Sequence, residues 1–80
     1  MSTTLNSTIL SVTRRTTAGF TVGEIFDRVM WRAFQQGRTA PPYNSVRARV
    51  YELASNGKLA RHGVRKDSTS GRTATTFVRR

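Results

Sequence analysis

Residues 45–59 read Ser45-Val46-Arg47-Ala48-Arg49-Val50-Tyr51-Glu52-Leu53-Ala54-Ser55-Asn56-Gly57-Lys58-Leu59, and this stretch decides the fold. Val46, Val50 and Leu53 recur at helical spacing with Ala54 at their edge, which predicts a helix with one buried face. Asn44, Arg47, Ala48 and Tyr51, at spacings of 0, 3, 4 and 7, form the opposite, outward stripe. That stripe is polar, aromatic and basic. Arg49 lies at a flank of the buried face, where its guanidinium can reach a phosphate or its stem can shield the core. Asn44 or Ser45 is expected to cap the start of the helix, and Asn56-Gly57 to end it.

Upstream, Gly37-Arg38-Thr39-Ala40-Pro41-Pro42 marks a break, because proline lacks the backbone donor and restricts the residue before it. Before the break, Val22, Ile25, Phe26, Val29, Met30, Ala33 and Phe34 fall at spacings of 0, 3, 4, 7, 8, 11 and 12, an amphipathic helix from Thr21 to Gln36. Thr21 followed by Glu24 is the capping-box pattern, and Gly37 stands where a C-terminal glycine is expected. The whole apolar stripe, Met30 and the aromatic residues included, is assigned to the core. Leu5, Ile9 and Val12 keep helical spacing in a stretch rich in Ser and Thr, which predicts a further helix from about Thr3 to Thr13. Ala18-Gly19-Phe20 is read as a very short strand or a turn against the edge of a downstream hairpin.

Downstream the period changes from 3.6 to 2. Leu59 to Lys66 and Thr73 to Val78 are rich in β-branched residues and are separated by Asp67-Ser68-Thr69-Ser70-Gly71-Arg72, which predicts a β-hairpin. Its basic residues, Arg61, Arg65, Lys66, Arg72 and Arg79, make the ribbon as cationic as the helix before it. The bland reading of such a ribbon is an edge strand protected by charge from aggregation.

The chain of 80 residues is short enough that one small domain is expected, with little stability to spare. Fourteen Lys and Arg against four Asp and Glu give a formal net charge of +10, an imbalance that points to a polyanionic partner. Residues 1–43 hold five basic residues against Glu24 and Asp27, net +3, and residues 44–80 hold nine against Glu52 and Asp67, net +7. The anion-binding surface is therefore expected in the second half. Twelve of the fourteen cations are Arg, whose planar fork suits phosphates and base edges.

The absence of cysteine removes thiolate metal sites and disulfides, and no apolar run is long enough to span a membrane. No metal site, cofactor or membrane partner is expected. Met1-Ser2-Thr3-Thr4 lacks the basic and apolar regions of a secretory signal, so the protein is read as cytoplasmic. His62 is the single histidine, and Glu24, Asp27, Glu52 and Asp67 are scattered without paired-carboxylate spacing. An enzyme is not expected.

Helix, short strand, helix, helix and two-stranded hairpin is the order of a winged helix-turn-helix domain, an α+β fold. Ser45 to Leu59 resembles the recognition helix of that superfamily with the residues that lead into the wing. Ser70-Gly71-Arg72-Thr73-Ala74-Thr75-Thr76-Phe77 is similar to the second wing strand of small phage and bacterial members, and Phe20-Thr21-Val22-Gly23-Glu24-Ile25 to the start of their second helix. The resemblance spans residues 18–80 and implies one domain: an N-terminal helix over 1–17, the helix-turn-helix over 21–57 and the wing over 58–80. The interval from Gln36 to Asn44 departs from the pattern, being longer than a standard turn. Left-handed-DNA binders of the superfamily are a poorer comparison, because Arg47 stands where they have Asn and their Pro-rich wing tip is missing.

The resemblance implies duplex DNA as the partner, with the third helix in the major groove and the wing on the backbone. Arg47 is then expected to read a guanine edge, with Asn44, Ser45, Ala48, Arg49 and Tyr51 beside it on bases or phosphates. Arg61, Arg65, Lys66 and Arg72 are expected to hold phosphates. If about six phosphates are neutralised, log affinity falls against log salt with a slope near −5. The function implied is a small phage or bacterial transcription regulator or accessory factor, with the first helix as the surface for a homodimer. One alternative is a protein-binding module that docks on a host polymerase, nuclease or replication factor, using Trp31, Phe34 and Tyr43 as an aromatic patch. Another is a structured-RNA binder.

Overall fold

A computed structural model describes residues 2–13, 19–67 and 70–79. The elements are α1 (Ser2–Val12), β1 (Phe20–Thr21), α2 (Val22–Gln35), α3 (Tyr43–Ser55), β2 (Leu59–Lys66) and β3 (Thr73–Arg79). The architecture is α+β, with three helices on a three-stranded antiparallel sheet of order β1-β3-β2. The expected short strand is present as β1, which pairs Phe20 with Phe77 and Thr21 with Thr76 along the outer side of β3. Ala18, expected in that strand, lies outside the described residues, as do Ser68 and Thr69 of the hairpin loop.

Each helix boundary has a local cause. In α1 the hydroxyl of buried Thr13 donates to the Ile9 carbonyl at 2.8 Å, turning the side chain back on the last turn. The α2 capping box forms as expected: the Glu24 amide donates to Thr21 Oγ1 at 3.2 Å and the Thr21 amide to Glu24 Oε1 at 3.2 Å. The start of α3 corrects the sequence expectation. Neither Asn44 nor Ser45 caps it; Pro42 occupies the cap position with extended backbone, its carbonyl accepts from the Ser45 and Val46 amides, and no side chain caps the end. Proline already holds the φ that a cap residue needs, so the cap lies two residues before Asn44 and three before Ser45.

The core is one cluster: Ile9 and Val12 from α1, Val22, Ile25 and Val29 from α2, Val46, Val50 and Leu53 from α3, and Leu59 and Phe77 from the sheet. Full burial of each large apolar side chain contributes about 1.5–3 kcal/mol. The assignment of the whole α2 stripe to this core is corrected. Val22, Ile25, Val29 and Ala33 are buried, whereas Phe26 is half-buried against the Tyr43 ring and Met30 and Phe34 are exposed. Two helices and a small sheet cover only one seam of α2. The parallel row Phe26, Met30, Phe34 drifts onto its shoulder.

Gly19 fixes the close approach of β1 to β3. Its φ is +73°, and an added Cβ would lie 3.0 Å from the Thr76 side chain and 3.2 Å from the Phe77 carbonyl, so any larger residue would push the strand away.

Candidate nucleic-acid interface

Helix α3 sorts its side chains as the wheel requires. Val46, Val50 and Leu53 point into the core, and Asn44, Arg47, Ala48 and Tyr51 share an exposed stripe. The Tyr51 ring packs edge-on against buried Phe77, with centroids 5.7 Å apart, and stays 37 % exposed. The Arg47 guanidinium lies 5.4 Å from the Tyr51 centroid, and the Arg61 guanidinium, from β2, lies 5.9 Å from the same centroid. Both distances are within cation–π range. Ser45 and Arg49 follow a different spacing, on the far shoulder of the helix with Glu52, and Arg49 donates to Glu52 Oε1 at 2.8 Å.

Strand β2 carries an irregularity that the period-2 pattern hides. Arg61 pairs with Phe77 and Gly63 with Thr76, so His62 is the extra residue of a β-bulge. Gly63 supplies the φ of +154° at this point. In an uninterrupted strand Arg61 and Arg65 would share a face. The bulge shifts the alternation by one, so Arg61 shares the side of Phe77 and the α3 stripe, while Arg65, opposite Ala74, points to the other side. Lys66, opposite Thr73, returns to the side of Arg61.

Arg65, expected to hold a phosphate, is engaged within the protein. Its guanidinium forks onto the Glu24 carboxylate, Nη1 to Oε2 at 2.8 Å and Nη2 to Oε1 at 2.5 Å, and Nη2 also donates to the Gly19 carbonyl at 2.9 Å. A bidentate, charge-assisted pair of this kind fixes position as well as charge. The hydrogen bond from Arg65 to Glu24 raises the guanidinium pKa above its ordinary value. Arg49 is also paired, with Glu52 on the exposed far shoulder of the helix, away from the Tyr51 stripe.

A second polar chain orients the tip of the hairpin. Thr21 Oγ1, which accepts from the Glu24 amide, donates in turn to Asp67 Oδ1. Asp67 is buried, and its other oxygen accepts from the Ser70 amide at 3.1 Å and the Ser70 hydroxyl at 2.9 Å. Backbone bonds from Asp67 N to the Arg72 carbonyl and from Gly71 N to the Asp67 carbonyl close the loop. The two acids that looked scattered in sequence, Glu24 and Asp67, therefore tie the hairpin to the start of α2.

A groove runs between the α3 stripe and the hairpin, lined by Tyr43, Arg47, Tyr51, Asp67, Arg72 and Thr73 among others, with Arg61 on the Tyr51 ring outside that lining. The ion pairs Arg49–Glu52 and Arg65–Glu24 do not take in Arg47, Arg61 or Arg72. Other cations are engaged away from the groove: Arg28 lies over the Phe20 ring, Arg32 donates to Ser11 Oγ and Arg79 donates to the Leu10 carbonyl. The site that remains is narrower than the sequence implied. It unites Arg47, Tyr51, Arg61 and Arg72, flanked by Asn44, Ala48 and Lys66, and leaves Ser45, Arg49 and Arg65 outside.

Among the described residues no group of three His, Cys, Asp or Glu side chains could hold a metal ion, and no helix is long and apolar enough to cross a membrane. Comparison with family models, with curated proteins and with solved structures gives no match.

Proposed function

We propose that the protein is a winged helix-turn-helix that binds duplex DNA sequence-specifically, as a small phage or bacterial transcription regulator or accessory factor. One observation carries the reading: two guanidinium groups, Arg47 and Arg61, converge on one half-exposed tyrosine ring at a groove that also holds Arg72, while the one acid of the groove's described lining, buried Asp67, accepts from Thr21 and Ser70. Like charges held together repel, and concave surroundings focus their field outward, so the arrangement favours an anion in the groove. DNA supplies such anions along both walls of a major groove wide enough to admit α3.

In this reading Arg47 and Tyr51, with Asn44 and Ala48 beside them, face base edges, and Arg61, Lys66 and Arg72 hold phosphates. The α3 N-terminus, which no side chain caps, turns the positive end of the helix dipole toward a phosphate. The braces at Glu24 and Asp67 hold the hairpin against the start of α2, which limits the ordering cost of binding. The engaged Tyr51 ring favours a duplex over unpaired RNA, since it offers little face on which a base could stack. Binding alone is the activity, without catalysis or cofactor, in the cytoplasm of a prokaryotic cell or phage-infected host. A domain this small covers few base pairs, so useful specificity calls for a homodimer on repeated half-sites.

The test is selection of bound sequences from a random duplex pool, followed by Arg47→Ala on the enriched site. The pool is expected to converge, and the substitution to weaken the enriched site by about 5- to 150-fold, the equivalent of about 1–3 kcal/mol, and random DNA by less. A pool that does not converge removes sequence-specific recognition. Equal losses on both DNAs would reduce Arg47 to a phosphate contact.

A further inference from the structure

The groove leaves a second surface unused. On the outer side of α2, Trp31 is 60 % exposed and Phe34 73 % exposed, and their rings stack with centroids 5.7 Å apart at 23°. Met30, 41 % exposed, continues the patch along the shoulder. Beside it opens a hollow of about 600 Å³ lined by Phe20, Asp27, Arg28, Trp31, Arg32 and Gln35, among others. None of the residues around this hollow lines the α3–hairpin groove. Two of its arginines are already placed: Arg28 rests 4.5 Å from the Phe20 centroid, and Arg32 is held by Ser11 at 3.1 Å.

Trp, Phe, Met and Arg are the residue types enriched at the centres of protein interfaces, and Trp and Arg are the commonest residues whose removal breaks one. Holding three large apolar side chains in water on one short helix forfeits burial that a small domain can hardly spare. We propose that the outer face of α2, from Arg28 to Phe34, docks an acidic protein segment that lays apolar side chains on the Trp31–Phe34 ledge and its carboxylates against Arg28 and Arg32.

Charge decides between this occupant and others. A second copy docked through this face would set the same arginines against each other across a two-fold axis. A nucleic acid, whose anions run without apolar side chains between them, would leave the Trp31, Phe34 and Met30 surface uncovered. A protein segment can spare Asp27 and Glu24 by setting apolar side chains over them and only a few carboxylates at Arg28 and Arg32. An acidic protein is attracted by the charge of the whole chain and finds both the apolar ledge and the two prepared guanidiniums. Because the ledge and the groove are separate, this proposal and the DNA-binding reading stand or fall independently.

Trp31 is the one tryptophan of the chain, so its emission reports directly on the ledge. The probe is a short synthetic helical peptide of Glu residues with Leu and Phe at three- and four-residue spacing, titrated to about 1 mM, where even weak binding is visible. A saturable blue shift of Trp31 emission is expected, and none with the same peptide carrying Lys for Glu. Phe34→Ser and Arg28→Glu, both at exposed positions and checked for folding by circular dichroism, should each weaken the peptide about tenfold, the equivalent of about 1.4 kcal/mol. Phe34→Ser should leave duplex DNA affinity unchanged. The proposal is overturned by no shift with the acidic peptide or an equal shift with the Lys peptide. A shift produced by raising the protein concentration alone, which would mean a second copy, or by an oligothymidine, which would mean base stacking, overturns it as well.

Discussion

Arg61 and Arg65 sit four residues apart on the same strand and do different work. Arg61 leans toward Tyr51, while Arg65 is locked to Glu24 and the Gly19 carbonyl. The contrast extends to the two sides of the hairpin. One side carries Arg61 and Lys66 toward the α3 stripe; the other locks Arg65 onto Glu24. What separates them is one extra residue, His62, whose bulge reverses the alternation of the strand between the two arginines. Composition counts the two alike, and only register tells the arginine beside Tyr51 from the one locked to Glu24.

Deleting His62 attacks the contrast at its origin. Without the bulge, Arg65 and Leu59 cannot both keep their places, so either the brace opens or Leu59, now 1 % exposed, turns out of the core. Loss of that burial costs about 2–5 kcal/mol, comparable with the whole stability of a small domain. Thermal melting should show a largely unfolded chain, and a melting temperature within a few degrees of the parent would refute the register argument.

Thr21→Val breaks the braced side alone. The valine keeps the branched shape but neither caps α2 nor donates to Asp67, leaving a buried carboxylate short of a partner. A loss of about 2 kcal/mol, roughly 10 °C in melting temperature, is expected. Duplex affinity, measured well below the melting temperature, should fall less than it does on substitution of a groove arginine.

The smallest effects sharpen the comparison most. Arg61→Ala should reduce the salt dependence of DNA binding by about one unit of slope with little change in melting temperature. Arg65→Ala should do the reverse, lowering the melting temperature while leaving the slope unchanged. Equal slopes for the two variants would erase the distinction. Because Arg65 has its pKa raised by Glu24, its contribution to stability is complete below the ordinary guanidinium value and is lost only as pH rises through the higher folded value. No loss from this group is expected between neutrality and about pH 11.

Much of the fold is legible because local signals agree. The 3.6 period and capping box announce α2, Asn56-Gly57 ends α3, and a polar loop between β-branched runs marks the hairpin. The outward stripe of Arg47 and Tyr51 follows from a helical wheel alone. The start of α3 is not legible in the same way, because Asn44 and Ser45 are the better side-chain caps and Pro42 wins on backbone geometry. Met30 and Phe34 read as core because periodicity shows which residues align, not how much of a helix its neighbours cover. The pairing of Arg65 with Glu24 crosses 41 positions and leaves no local trace. One signal was there to use: an isolated glycine inside a strand, here Gly63, commonly marks a bulge, and a bulge at that point separates Arg61 from Arg65.

The most direct test of the cationic groove is the slope of log affinity for duplex DNA against log salt concentration. Arg47, Arg61, Lys66 and Arg72 are the cations left to the groove face once Arg49 and Arg65 are taken by their acids, which gives an expected slope of roughly −3.6. A slope of roughly −5.4 would mean that Arg49 and Arg65 leave Glu52 and Glu24 to join them. Binding that is absent at low salt, or indifferent to salt, would contradict a groove built for nucleic acid.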